Sequence, residues 1–212
     1  KWEIEAYLDE LTGYPERDFY RPNFFVNTPD ILPYHLQSGE PWMFKSRLAL
    51  AATLSGNYGI YNGFELLEHQ PIPGREEYLD SEKYELKTRD WNKPGNIKPY
   101  VTALNHARRA NPALLQTRNL RFLPIENSIV IAFTKHDTDA DNVVVGAISL
   151  AGDAQELWLP LAGIDVNVDG ERKPPLALEN LITSGRRAVE WGGVHLRIDP
   201  MLDPALLFRC IV

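Results

Sequence analysis

An isolated carboxylate, Asp30, stands in the stretch FFVNTPDILPYH, residues 24–35. Phe24, Phe25 and Val26 predict a short strand buried on both faces, and Asn27, Thr28 and Pro29 stop it. Asp30 therefore falls just past the strand's C-terminal end. A carboxylate there either caps the next helix, since Asp is a favoured N-cap, or is a working group. On periodicity alone the cap is the better account. A second group lies in EEYLDSEKYE, residues 76–85, where Lys83 and Tyr84 set an ammonium group beside an aromatic ring with a hydroxyl. The ammonium offers three donors and the ring a flat face with a hydroxyl. The bland account is a solvated charged loop, and Glu82 and Glu85 have no separate support. Asn27 could orient a loop or a sugar, although a strand-end turn residue explains it as well. Glu65, in YNGFE, is expected at the end of another strand, as a substrate ligand or a structural carboxylate. Arg89, Asp90 and Trp91 could line a cleft, with Trp91 either stacked on a sugar face or buried under a loop.

Other chemistries find little support. The five histidines, His35, His69, His106, His136 and His195, are scattered without zinc-ligand spacing, so no metal is expected. DTDADN, residues 137–142, lacks the glycine and terminal glutamate of a calcium loop and reads as a hairpin loop. No phosphate-cradling glycine motif and no cofactor signature occurs. The net charge of −7 leaves no basic surplus for nucleic acid or an anionic membrane. The single cysteine, Cys210, lies in the apolar strand LLFRCIV and reads as a buried structural thiol. One cysteine forbids an intrachain disulfide, which fits a reducing cytoplasm. No signal peptide is expected, and the sequence holds no apolar stretch of spanning length.

The elements that must position these residues alternate. KWEIEAYLDELTG predicts a helix with Trp2, Ile4, Tyr7, Leu8 and Leu11 on one face and Gly13 as its stop. PWMFKSRLALAATLSGN predicts a second, with Phe44, Leu48, Ala51, Ala52 and Leu54 apolar. YGIYNGFEL then predicts a short strand ending at Gly63. Strand, helix, strand is the order of parallel β/α units. A polar loop runs from about Leu66 to Gly95; loops this long inside a compact domain are usually functional or mobile. IKPYVTALNHARRANPAL is a further helix, with Leu104, Ala107 and Ala110 inward. From Gln116 the pattern changes to short strands, RNLRFLPI, SIVIAFTKH, NVVVGAISL, AQELWLPL, HLRIDP and LLFRCIV, parted by Asn, Asp and Gly turns. This predicts a sandwich or Greek key, and hence two domains, 1–115 and 116–212.

RPNFFVNTPDI, PWMFKSRLALAATLS, YGIYNGFEL, EEYLDSEKYE and RDW, in that order, resemble the α-amylase superfamily, and most closely its bacterial maltosyltransferases. The resemblance spans essentially the whole chain, and NTPDI and EEYLDSEKYE are its most specific parts. It implies an α/β then all-β chain: the C-terminal units of an incomplete (β/α)8 TIM barrel, followed by an antiparallel β-sandwich domain. The implied substrates are α-maltose 1-phosphate and α-1,4-glucan, with no cofactor. Asp30 would be a third carboxylate that stabilises the transition state, and Lys83 and Tyr84 would contact the donor. Many superfamily members carry His just before this Asp; Pro29 agrees with the maltosyltransferase pattern instead. The nucleophile and the acid/base residue sit on earlier barrel strands that have no counterpart here. A barrel needs eight strands to close, so the chain is expected to be a piece of a longer polypeptide and inactive alone. The remainder of the barrel is then an implied partner, and the full-length protein is expected to be a homodimer through regions N-terminal to this piece. Two other readings stand beside this one: a hydrolytic or isomerising relative, and a non-catalytic scaffold whose β part binds glucan or packs on the barrel.

Overall fold

The computed structural model describes residues 1–81 and 86–212. Helix α1 (Trp2–Thr12) and a single turn, α2 (Glu16–Phe19), precede the first strand. β1 (Asn23–Phe25) pairs in parallel with β2 (Asn57–Gly59), Phe24 beside Tyr58 and Phe25 beside Gly59. A Cβ on Gly59 would stand 2.3 Å from the Phe25 ring, so a larger residue there would have to turn that half-exposed ring aside. The crossover between them is α3 (Pro41–Leu54), which starts with proline in its first turn, where no amide is missed, and then runs free of glycine and proline. Phe44, Leu48, Ala49, Ala51, Ala52 and Leu54 are all buried. A helix apolar this far round must be covered on more than one side.

The second cover comes from the C-terminal half. β3 (Arg121–Phe122), β4 (Val130–His136), β5 (Val143–Ser149), β9 (Ala177–Asn180), β10 (Arg186–Ala188) and β12 (Ala205–Ile211) form an antiparallel sheet in the order β10-β9-β12-β5-β4-β3. Against its far face lies the antiparallel pair β6 (Gln155–Pro160) and β11 (Gly193–Ile198), while β7 (Val166–Val168) and β8 (Glu171–Lys173) form a small separate hairpin. Side chains alternate across the larger sheet. Phe133, Ile148, Ala205 and Leu207 join the core around Phe44 and Leu48 on α3. Val130, Ala132, Val145, Ala147 and Phe208 join Leu157, Leu159, Val194 and Leu196 in the sandwich core. β5 is buried along its whole length because both its faces are covered. That is why SIVIAF and NVVVGAIS read as continuous apolar runs.

The structure corrects several expectations. Phe25 is 47% exposed, so the first strand is not buried on both faces; among the described residues β1 pairs only with β2. The second strand stops at Gly59, not Gly63, and Phe64–Leu66 form a short 3₁₀ turn. On α1 only Leu8 and Leu11 are buried, and Trp2 and Tyr7 face solvent. On α4 (Lys98–Ala110) Leu104 and Ala107 point inward, but Ala110 is exposed and Tyr100 and Arg108 are buried in its place. Strands β7 to β10 had no clear signal, being short and polar. Cys210 is buried in the sandwich core, which pushes its thiol pKa up to about 12.

Candidate functional site

The C-terminal ends of β1 and β2 point to one place. Beyond β1 the chain turns tightly at Thr28–Ile31, closed by reciprocal backbone bonds, Thr28 N to Ile31 O (3.1 Å) and Ile31 N to Thr28 O (3.2 Å). Pro29 and Asp30 are its two central residues, proline in the position its fixed φ favours. Asp30 caps no helix. Pro33 precedes the 3₁₀ turn Tyr34–Leu36 and Glu40 precedes α3, neither with a side-chain cap. The capping account of Asp30 therefore fails, and an exposed carboxylate stands at the C-terminal end of the parallel pair.

Asn27 fixes this turn from below. It is buried; its Oδ1 accepts from Tyr61 N at 2.9 Å and its Nδ2 donates to the Tyr78 hydroxyl at 2.7 Å. One amide thus joins the end of β1, the stretch after β2 and the long loop. Glu76 makes a second tie: its backbone oxygen accepts from Leu32 N (2.8 Å) and its Oε1 from Tyr34 N (3.0 Å). The described half of EEYLDSEKYE therefore grips the NTPDIL turn on both sides of Asp30. Asn27→Ala would leave the half-buried Tyr61 amide and the buried Tyr78 hydroxyl without this partner, and should cost about 2 kcal/mol. A urea midpoint unchanged by the substitution would show that the tie contributes nothing.

Around this frame the Tyr61 and Tyr78 rings meet edge-on at 5.5 Å, and the Arg89 guanidinium lies 5.8 Å from the centre of the Tyr61 ring. Burial pushes the Tyr78 hydroxyl pKa up to about 12, so it stays protonated at neutral pH and can both donate and accept. Arg47 on α3 donates from Nε to the Val26 carbonyl and approaches His35 Nε2 at 3.4 Å. Burial, and then the Arg47 cation, hold the His35 pKa below its usual value, leaving a neutral imidazole at pH 7.

The remaining candidates separate. The Arg89 side chain is 3% exposed and pairs with Glu68 at 2.8 Å, which Lys87 also reaches at 3.2 Å. Arg89 is thus a buried partner of Glu68. Asp90 accepts locally from Asn92 N (2.9 Å). Trp91 is exposed, so burial under the loop is ruled out. Glu65 is not at a strand end: it lies in the 3₁₀ turn, accepts from Gly63 N at 3.1 Å and gives its carbonyl to Ile97 N. Lys83 and Tyr84, with Glu82 and Glu85, lie outside the described residues. Sequence reading missed Tyr61, Tyr78 and Glu68; the only signal was two tyrosines in polar loops, which by itself points nowhere. Among the described residues no three His, Cys, Asp or Glu side chains are placed to hold a metal ion.

What the arrangement can do follows from its parts. A carboxylate at the end of the parallel pair, backed by a frame of hydrogen bonds, can accept hydrogen bonds from the hydroxyls of a ligand.

No protein-family model matches the chain. Curated relatives do. The chain is 53% identical, over 99% of its length, to an α-1,4-glucan:maltose-1-phosphate maltosyltransferase of Burkholderia pseudomallei, and covers 19% of that protein. It is 46% identical over 99% to the enzyme of that name from Rhodospirillum rubrum, covering 30% of it, and 42% over 98% to that of Methylacidiphilum infernorum, covering 31%. The chain thus spans about a third or less of the relatives it matches. Among solved structures it is similar to AmyP in complex with maltose, with a TM-score of 0.69 at 18% identity over 99% of the chain and 44% of AmyP. It is also similar to an α-amylase of Geobacillus thermoleovorans complexed with acarbose, TM-score 0.65, 15% identity, over 98% of the chain and 42% of the amylase. At such identities these two establish the fold only. With the turn around Asp30, the parallel pair and the sandwich now described, the chain belongs to the α-1,4-glucan:maltose-1-phosphate maltosyltransferases and corresponds to their C-terminal part.

Proposed function

We propose that the full polypeptide transfers maltosyl from α-maltose 1-phosphate to the non-reducing end of an α-1,4-glucan, with retention. A nucleophilic carboxylate outside this chain would attack C1 as the bond to the phosphate oxygen breaks, giving a covalent β-maltosyl ester. The acceptor's 4-hydroxyl would then attack C1, its proton passing to the acid/base residue and the ester bond breaking. Retaining transfer of this kind sets the two carboxyl groups about 5 Å apart. Asp30 would be a third carboxylate, accepting hydrogen bonds from hydroxyls of the reacting sugar that tighten as the ring flattens. Lys83 and Tyr84 would bind the donor.

One observation carries this reading: 39–53% identity, over nearly the whole chain, to proteins bearing the transferase name. The structure supports a larger parent in another way. Between α1, the outer edge of β1 and α3 runs a groove of about 330 Å³ lined by Tyr7, Phe25, Leu50 and Leu54. The remainder of a (β/α)8 barrel would cover it, with residues 1–115 as the barrel's last part and 116–212 as the sandwich domain. A cytoplasmic homodimer is the accompanying expectation.

The test compares two proteins. The complete gene product should release phosphate from α-maltose 1-phosphate with a maltohexaose primer, and the 212-residue chain should release none. Robust release by the short chain would overturn the placement of the nucleophile. Free maltose in place of chain extension would favour hydrolysis, the activity carried in the names of the α-amylases that share the fold.

A further inference from the structure

The outer face of the β6–β11 pair carries Glu156, Trp158 and Pro160 from one strand and His195 and Arg197 from the other, while alternate residues enter the sandwich core. Trp158 stands opposite His195 in register, and their rings meet edge-on at 4.8 Å. A Cβ on Gly193 would stand 2.5 Å from the six-membered ring of Trp158. The indole therefore lies down on the sheet, over a position that only glycine leaves flat enough. Beside it opens a groove of about 680 Å³, whose walls add Glu126, Asn127 and Ile125. The hairpin that delivers Gly193 holds a second indole out: Trp191 is 97% exposed, with φ at 53°. A bulky residue in the left-handed region is unfavourable.

We propose that this groove is a second binding site for α-1,4-glucan, separate from the turn around Asp30. A flat indole with polar groups at its margin fits the C–H face and the hydroxyls of a pyranose. Glu126 and Glu156 make the lining acidic, and its neighbour Arg197 is drawn to Glu156 at 3.4 Å, so an anionic polymer is disfavoured and a neutral polyol is not. The volume lies within the range of about 300–1,000 Å³ usual for small-ligand sites. The choice of glucan rests on the function proposed above. A polymer held here would present its end to the reacting site at raised effective concentration.

The test is electrophoresis of the complete gene product in native gels with and without embedded glycogen. The unaltered protein and Asp30→Asn should both be retarded. Trp158→Ala should weaken retardation about tenfold or more, with phosphate release from maltose 1-phosphate and maltohexaose unchanged; Trp158→Phe should keep part of the retardation. Equal retardation of the parent and Trp158→Ala would overturn the proposal. So would a lowered melting temperature in Trp158→Phe and His195→Ala without any change in retardation, since the groove would then be covered by protein. Retardation that depends on Trp158, without phosphate release by any form, would keep this site and sink the transferase reading.

Discussion

Asp30→Asn should lower the kcat of maltosyl transfer in the complete protein about a thousandfold, with little change in KM. Hydrogen bonds to a reacting sugar that strengthen in the transition state supply several kcal/mol, and each 1.36 kcal/mol is a factor of about ten in rate. Asparagine keeps the size of the side chain and suits a turn, so the Thr28–Ile31 bonds should survive. The kinetic split decides the role. A raised KM with intact kcat would mean that Asp30 holds substrate and transition state equally. A lowered melting temperature with intact kcat would return it to a structural part.

Lys135→Ala should be strongly destabilising. Lys135 is 0% exposed. Its ammonium donates to the carbonyl of Thr53, in the last turn of α3, at 3.0 Å, and to the carbonyl of Gln116. Alanine would leave both oxygens unpaired and a cavity behind, at about 3 kcal/mol or more. In a protein of this size that lowers the melting temperature by about 6–12 °C. The pH dependence gives an independent check. Burial, and then the Arg108 cation, depress the Lys135 pKa from 10.5 to about 7. Between these values the unfolded chain holds a proton that the folded chain has released. Stability should therefore be lowest below pH 7 and rise with pH. The Cys210 thiol, whose pKa is raised from 9.0 to about 12, acts in the opposite sense only above pH 9. Between pH 7 and 9 the unaltered protein should gain stability relative to Lys135→Met, which fills the space without titrating. Parallel curves for the two would refute the assignment.

Where pattern was local, the sequence was readable. PWMFKSRLALAATL carries its start, its length and its buried positions in order, and the β-rich tail announced itself by turns between apolar runs. What stayed hidden depended on partners distant in the chain. Phe24–Phe25–Val26 has the composition of a doubly covered strand, but its second cover is not among the described residues. Lys135 looks like the polar end of a strand; its burial follows only from sharing a face with Phe133, which α3 covers. At the site, Asp30 could be placed at a strand end from its neighbours, but its frame could not. Asn27, Tyr61, Glu76 and Tyr78 lie up to 51 positions apart and are ordinary loop residues until the fold joins them. Polar ties of this kind have no period to read.

The carbonyl end of α3 receives two buried basic side chains, from different parts of the chain. Arg108 of α4 donates to the oxygens of Ala52, Ser55 and Gly56, and Lys135 of β4 to that of Thr53. A helix's exposed carbonyls and the negative end of its dipole need such partners. Half of this plug belongs to the sheet. A tail transplanted from an unrelated protein would dock with no lysine in reach of Thr53 and would bury a naked carbonyl. The sandwich is thus poor material for shuffling between genes: it must be inherited together with the helix it stoppers.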